Sequence, residues 1–461
     1  MAKKDLLSSI SDIDKASSKI KSFINGIVDA ESFVETDALM TGKGFDSASD
    51  ALGEGVVTGY ATINGHPVHL FAQNAEVLKG SLGESHAKKI IKCMDRASKT
   101  GTPVISIIDS CGARVGEGAT IMEGYASLIS ASASLNVPNI CILKGVATGM
   151  MTSYIASCDF TFMSKDAICS VNSPMHLVSN VKNFPVDYKK YLGYDAYKSN
   201  TDLIQFTYTN EKDLSTKVVS LLDTLFDSSD VSEVNDDPNR IDPKLEKVSA
   251  LEAVDLILDK KSIIEYAPDY AKDVKCALGK LNGMSVGVVA TSGDYMSLCG
   301  VKKINSFVEK LENFDLPLVT LVDTLGVNPS LENETSGVAK LTYTLMKTIS
   351  QSTIAKIGIA FGNAVGYGYS ALLSKGIGFD YTLATTNAKV SPVSEEVAIA
   401  MMCDQLKEKD RPENLKALSE KYAQMLTNPL EAAKDGYIDN VVEATNLRPY
   451  ISSALLMLMG I

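Results

Sequence analysis

Between Leu6 and Ile27 the apolar positions Leu6, Ile10, Ile13, Ile20, Phe23, Ile24 and Ile27 recur at intervals of three, four and seven, which predicts an amphipathic helix over residues 5–28. Such a stripe is expected to pack on the body of the protein and not on a membrane. The pattern then changes. Ser32–Glu35 reads as a short strand or turn and Thr41–Asp46 as loop. Two runs, Gly55–Ile63 and His66–Ala72, flank Asn64-Gly65, the pair that a two-residue hairpin turn favours. From Gly80 a loop enters a helix with Ile90, Ile91 and Met94 on one side. After Pro103 the apolar-dominated run Val104–Ile108 predicts a buried strand, and Asp109-Ser-Cys-Gly112 is the turn at its end.

The same series returns in the second half. Pro317 opens a second run, Leu318–Val322, which ends at Asp323 with Gly326 three residues on. Each copy continues with a helix and then a strand running into glycines: Ile140 to Gly145-Val-Ala-Thr-Gly149 in the first, Ile357 to Gly362-Asn-Ala-Val-Gly366 in the second. Tyr154 and Asp159 follow in one, Tyr369 and Asp380 in the other. The offset drifts from about 214 residues at the first aspartates to about 221 at the second pair, as small insertions between two copies of one fold would produce. A second Asn-Gly pair, Asn282-Gly283, answers the first. Between the copies, Asp227–Pro243 is acidic with two prolines and is the expected linker. Before it come clustered tyrosines (188, 191, 194, 197) and a helix over 211–226; after it, a helix over 250–258 and a short apolar stretch, 262–265. A helical region over 395–425 and a helix running into a strand over 428–442 close the second copy. The expected architecture is α/β with two domains, 1–235 and 236–461, related by internal duplication.

Composition narrows the function. A net charge of −12 excludes a polyanion such as nucleic acid as the main partner, though a small phosphorylated ligand could still bind a local basic patch. Eight cysteines without a CxxC pair are expected to be reduced core thiols, neither disulfides nor zinc ligands. No secretory signal follows Met1-Ala-Lys-Lys-Asp, and no apolar run spans a bilayer, so a cytoplasmic protein is expected.

GxSxG, HExxH, P-loop and GxGxxG patterns are all missing, and the four histidines form no ligand spacing. Asp109 and Asp323 are expected to act structurally, capping the next helix. What remains is glycine where a strand gives way to a helix. There, bare backbone amides at a helix N-terminus can stabilise an oxyanion, and two such sites would suit a reaction passing between two oxyanions.

The run Phe71-Ala-Gln-Asn, then Gly80-Ser-Leu-Gly-Glu-Ser-His-Ala-Lys-Lys, then Asp109-Ser-Cys-Gly-Ala-Arg-Val-Gly-Glu-Gly118 resembles the carboxyltransferase subunit of biotin-dependent acyl-CoA carboxylases and decarboxylases. The resemblance covers nearly the whole chain and is most specific over 55–165. It implies two ClpP/crotonase-like domains, each a ββα superhelix, and a carboxyl group moved between carboxybiotin on a separate carrier and the α-carbon of a short-chain acyl-CoA. It implies that amides around Thr148, Gly149 and Met150 hold the thioester oxygen, and those around Gly366, Tyr367 and Gly368 the ureido oxygen of biotin. It further places Ser110, Gly112, Ala113, Arg114, Gly326, Tyr369 and Ser370 among the residues that bind CoA or biotin, and no metal. The biotin enolate left by loss of CO₂ would take the acyl α-proton. The implied partners are acyl-CoA, a biotin carboxyl carrier and a biotin carboxylase subunit, in a homo-hexamer (a trimer of dimers) or a hetero-oligomer with each site shared between subunits. Biotin is not expected on this chain: Ala-Met-Lys-Met is absent, and Leu345-Met346-Lys347 falls in a helical stretch.

Several motif positions depart from the family. Cys111 stands for glycine, Ala147-Thr-Gly-Met150 for Ala-Gly-Gly-Ala, and Val365-Gly-Tyr-Gly-Tyr-Ser370 for Tyr-Gly-Gly-Ala-Tyr-Asp. Asp-Val-Pro-Gly-Phe survives only as Asp323-Thr-Leu-Gly-Val327. A hole built from amides tolerates new side chains unless the replaced glycine needs a positive φ. Tyr367 could also fill space needed by the biotin ring, and Ser370 replaces an aspartate linked to acyl-group choice. Two alternatives therefore stand beside an active carboxyltransferase. One is a non-catalytic paralogue in a heteromeric complex. The other is a biotin-independent crotonase-type hydratase or decarboxylase, which would need a carboxylate pair near the first hole, with Glu117 and Glu123 as candidates.

Overall fold

A computed structural model describes residues 3–41, 52–177, 187–226, 236–237, 239–403, 417, 419–420, 422 and 427–460. Contacts divide the chain into two units, Met1–Leu222 and Asp223–Ile461. In the first, strands β1 (Val34–Thr36), β2 (Val56–Ile63), β3 (His66–Gln73), β4 (Val104–Ser110), β5 (Asn139–Thr148), β6 (Phe160–Ser164) and β8 (Phe206–Tyr208) form one sheet in the order β1-β2-β3-β4-β5-β6-β8. The short β7 (Ile168–Ser170) pairs with the end of β5. The second unit repeats this with β9 (Ile264–Tyr266), β10 (Val274–Leu281), β11 (Met284–Thr291), β12 (Leu318–Thr324), β13 (Lys356–Val365), β14 (Tyr381–Thr385) and β16 (Asn440–Val442), in the order β16-β14-β13-β12-β11-β10-β9. Here β15 (Lys389–Ser391) pairs with β13. Strand for strand, the two sheets have one topology.

The repeated residues do repeated work. Asn64 and Gly65 have φ of 50° and 80°, Asn282 and Gly283 of 53° and 77°, the left-handed pair that a hairpin turn matching strand twist requires. Both turns are capped from outside. Asp29 accepts from the amides of Asn64 and Gly65, each at 2.9 Å, and Asp259 from those of Asn282 (3.0 Å) and Gly283 (2.9 Å). The aspartates ahead of β6 and β14 also match. Asp159 accepts from the amide of Asn139 at 2.9 Å and Asp380 from that of Lys356 at 2.8 Å, so each fixes the first residue of a ten-residue strand, β5 or β13.

In the first unit the helix Glu84–Thr100 buries Ala87, Ile90, Cys93, Met94 and Ala97 and ends at Gly101 with φ 69°. Its apolar face also carries a buried lysine, Lys89, whose ammonium donates to the carbonyls of Gly53 (3.2 Å) and Val56 (2.6 Å). Lys303, on the helix Leu298–Asn313, is its counterpart, donating to Tyr270 (2.8 Å) and Val274 (3.0 Å). Neither lysine stands out in the sequence, because both interrupt an apolar stripe.

The first helix spans Lys3–Asn25. Residues 227–235, most of the expected linker, and 404–416 of the expected helical region lie outside the described residues. The sequence reading did not anticipate the helix Leu447–Met459. Its buried Arg448 bonds Asp259 Oδ1 at 2.6 Å, donates to the Ile257 carbonyl, and so ties the chain end to the hairpin cap. Among the described residues no helix is long and apolar enough to cross a membrane.

Candidate active site

The strand-end aspartates do not cap the following helix, as expected, but the neighbouring strand. The β4–β5 register slips between Ile108 and Ser110, and the β12–β13 register between Val322 and Thr324, so each aspartate sits at a bulge. Asp109 accepts from the amide of Val146 (3.1 Å) and from Lys144 Nζ (3.2 Å). Asp323 accepts from the amide (2.7 Å) and the side chain (3.2 Å) of Asn363. This accounts for the first glycine of each motif. A Cβ on Gly145 would lie 2.2 Å from Asp109 Oδ1, and one on Gly362 2.4 Å from Asp323 Oδ1. These two glycines stand inside strands and make room for a carboxylate; they present no amide to a ligand.

The second glycine of each motif makes the corner. Gly149 has φ 67°, ψ −140° and Gly366 φ 52°, ψ −115°, and each is the N-cap of a short helix, Met150–Ala156 and Tyr367–Leu372. L-residues avoid both conformations. Thr148 ends β5 and Tyr367 opens its helix, and neither has a positive φ, so the family glycines replaced at these positions leave no strain behind. The amides of Gly149 and Gly366 are already used: they donate to Ser170 O (3.0 Å) and Ser391 O (2.9 Å), where β7 and β15 close onto the long strands. The helix-leading amides follow. Among the described residues nothing accepts from the amides of Met150, Met151, Tyr367 or Gly368.

A second source of donors is the turn after the central strand. Ser110 Oγ accepts from the amide of Gly112 and Thr324 Oγ1 from that of Gly326, both at 3.2 Å. Gly112 O and Arg114 N then pair with Leu82, each at 2.9 Å, while Gly326 O and Asn328 N pair with Met296 at 2.8 and 2.9 Å. Between the bonded flanks, the amides of Ala113 and Val327 have no acceptor among the described residues. Gly112 packs against Thr148, whose Oγ1 would lie 2.9 Å from a Cβ there, so the Ala113 and Met150 segments adjoin. Each unit thus brings together amides from two segments at a helix N-terminus, an arrangement suited to a developing oxyanion.

The remaining expected residues are placed as follows. Gly368 is buried with Thr324 Cγ2 2.3 Å from where a Cβ would stand, so it lets the short helix sit on β12. The Tyr367 hydroxyl donates to the Thr342 carbonyl (2.8 Å) in the helix Val338–Gln351, the helix that also contains Leu345–Lys347. Burial pushes the phenols of Tyr367 and Tyr369 above their ordinary range. Ser370 is exposed, its amide donating to Gly366 O at 3.0 Å. Arg114 is turned inward. Its Nη1 meets Glu54 Oε2 (2.8 Å) and Glu117 Oε1 (3.0 Å), and its Nη2 meets Ser81 O (3.1 Å). Glu117 Oε2 accepts from the amide of Glu84 (2.7 Å), which starts the helix Glu84–Thr100, and Glu123 is exposed. These two therefore do not make the carboxylate pair that a biotin-independent hydratase or decarboxylase would need.

The sequence reading missed the residues beneath Arg114. His86 is wholly buried, with Nδ1 2.7 Å from Glu54 O and Nε2 3.3 Å from Gln73 Nε2. The ring is neutral, donating from Nδ1, because burial drives its pKa down to about 3. Gln73 Oε1 in turn accepts from the amide of Asp109 at 3.2 Å. Burial also lowers Lys89 to about 8. The available signal was His86 and Lys89 standing three apart on the face that carries Ile90 and Cys93, polar groups where a core is expected.

A duplicated, mostly parallel sheet with amides paired at each strand-to-helix corner defines a crotonase-like fold. The chain belongs to the carboxyl transferase domain family, whose model matches residues 16–460. It is 30% identical over 454 residues to the mitochondrial propionyl-CoA carboxylase beta chain of Sus scrofa, covering 93% of this chain and 83% of the relative. It is also 30% identical over 458 residues to the methylmalonyl-CoA carboxyltransferase 12S subunit of Propionibacterium freudenreichii subsp. shermanii (94% and 87%). Methylmalonyl-CoA decarboxylase subunit alpha of Propionigenium modestum is 28% identical over 459 residues (94% and 89%). The crystal structure of the transcarboxylase 12S hexamer with hydrolysed methylmalonyl-coenzyme A bound superposes with a TM-score of 0.90 at 26% identity, covering 99% of this chain and 95% of that one.

Proposed function

We propose that this carboxyltransferase moves a carboxyl group between carboxybiotin, presented on a separate carrier protein, and the α-carbon of a short-chain acyl-CoA such as acetyl- or propionyl-CoA. The observation that carries the reading is the pair of matched corners at Gly149 and Gly366, each followed by helix-leading amides without an acceptor among the described residues. In the first unit the amides of Met150 and Ala113 receive the thioester oxygen, and their hold strengthens as that oxygen becomes an enolate. In the second, the amides of Tyr367 and Val327 are suited to a ureido oxygen, a neutral acceptor that gains negative charge. Carboxybiotin supplies CO₂ when bound and, having lost it, a base for the α-proton. The chain's own contribution is to hold and orient the two acceptors; neither corner needs a side-chain acid or base. The proposed assembly is a homo-hexamer, with the carrier and a biotin carboxylase subunit as partners.

The eroded second motif is the ground for a non-catalytic paralogue, but the erosion touches side chains and spares the glycine that needs a positive φ. The test is decarboxylation of malonyl- or methylmalonyl-CoA by the purified chain with and without free biotin, Gly149→Pro serving as the inactive control. Biotin-dependent turnover is expected. Turnover without biotin would indicate a crotonase-type decarboxylase, and CoA binding without turnover the paralogue.

A further inference from the structure

We propose that Arg114 and Glu54 form a buried clamp that positions the Ala113 amide, making both of them positioning residues for the thioester corner and not ligands of CoA. This rests on the carboxyltransferase reading and deepens it by assigning what fixes one of the two donors.

The clamp begins in a strained turn. Gly53, Glu54 and Gly55 have successive φ of 60°, 61° and 66°, a left-handed run in which Glu54 is the one residue carrying a Cβ. Three side chains hold it there. Lys89 donates to the carbonyls on either side, at Gly53 and Val56; His86 Nδ1 donates to Glu54 O; and Arg114 meets the carboxylate at 2.8 Å. The Glu54 side chain is wholly buried, and that of Arg114 is 14% exposed. Every nitrogen of the guanidinium is engaged within the unit: Nη1 on Glu54 and Glu117, Nη2 on Ser81 O and Glu54 O, and Nε on Ser81 Oγ at 3.5 Å. A guanidinium so occupied has no donor left for a phosphate. The Arg114 amide donates to Leu82 O while Gly112 O accepts from Leu82 N, so the Gly112–Ala113 peptide, which carries the Ala113 amide, is held between two bonds to Leu82. The second unit lacks this layer. Asn328 stands where Arg114 does and is exposed, Gly300 stands where His86 does, and the carboxylate of the matching turn, Asp273, caps Ser297 instead (2.7 and 3.0 Å).

The test compares two ligands on the full-length chain by titration calorimetry: CoA, and S-nitroethyl-CoA, whose nitronate mimics a thioester enolate. Wild type is expected to prefer the nitronate at least tenfold. Arg114→Lys and Glu54→Gln should each cut that preference roughly tenfold while CoA affinity stays within about twofold, and the double variant should be no worse than either single one. Glu117→Gln, which keeps an acceptor for the Glu84 amide, should lose about threefold, and it carries the test if Arg114→Lys melts early. Equal weakening of both ligands would make Arg114 a CoA ligand and overturn the clamp, as would an unchanged preference. A wild type with no preference would sink the thioester-corner reading itself and the clamp with it.

Discussion

The two units share a sheet order, a pair of bulges and a pair of glycine corners, yet they secure the turn after the central strand differently. In the first, Asp109 N is bonded by Gln73, Gln73 by His86, and His86 by the turn holding Glu54 beneath Arg114. In the second, Thr291 takes the place of Gln73, its hydroxyl accepting from Asp323 N at 2.7 Å and donating to Asp323 O at 2.8 Å, and Gly293 N donates to the same carbonyl at 2.6 Å. The backbone device is therefore common property of the fold, and the buried ionic layer is an addition to one copy.

The largest expected effect tests what the units share. Gly149→Ala and Gly366→Ala should each lower biotin-dependent turnover on the order of 100-fold, because the corner that aims the amides is lost. The stability costs should differ. A Cβ at Gly149 meets nothing within 4 Å, so only backbone strain of about 1–2 kcal/mol is expected, whereas at Gly366 it would also stand 3.0 Å from Pro392 O. Denaturant unfolding should rank Gly366→Ala as the less stable; the reverse order would break the equivalence of the corners.

Next are the glycines that face the aspartates. Gly145→Ala and Gly362→Ala should each destabilise by about 1–3 kcal/mol, since either Cβ drives into a carboxylate that holds the neighbouring strand. Similar losses in both, additive in the double variant, would uphold the duplication; a silent substitution in one unit would show that its bulge is held by something else.

The smallest effect sharpens the difference between the units. His86 titrates near 6.5 when unfolded but about 3 when buried, so the unfolded chain binds the extra proton between those values. Its contribution is whole above pH 6.5 and is lost as the pH falls toward about 3. His86→Asn should therefore flatten the acid limb of stability against pH by up to about 1.4 kcal/mol per pH unit in that window. Gly300, in the same place in the second unit, has nothing to titrate. An unchanged limb would mean the ring is not buried neutral.

Much of this organisation could be read along the chain. Apolar period and the Asn-Gly pairs located both hairpins, both central strands and the amphipathic helices, and the ordered recurrence of Asp109, Gly145, Gly149 and Asp159 identified the duplication. The same letters did not say which glycine does what. Gly145 and Gly149 look alike in a motif, but one clears space for a carboxylate and the other supplies a positive φ, and that distinction depends on a residue 36 positions away. The β7 and β15 pairings that occupy the Gly149 and Gly366 amides involve strands too short to leave a periodic signal.

By itself the amino-acid order determined the repeat, the α/β class and the glycine corners where strands give way to helices, because these depend on local period and on residues such as glycine whose backbone preferences are intrinsic. Only the tertiary structure decided which amides are spent and which remain, and paired Arg114, expected among the ligand-binding residues, with Glu54 and Glu117. Whether a donor is free, or a charge is paired, is a property of what lies across from it in space, and no local pattern records that.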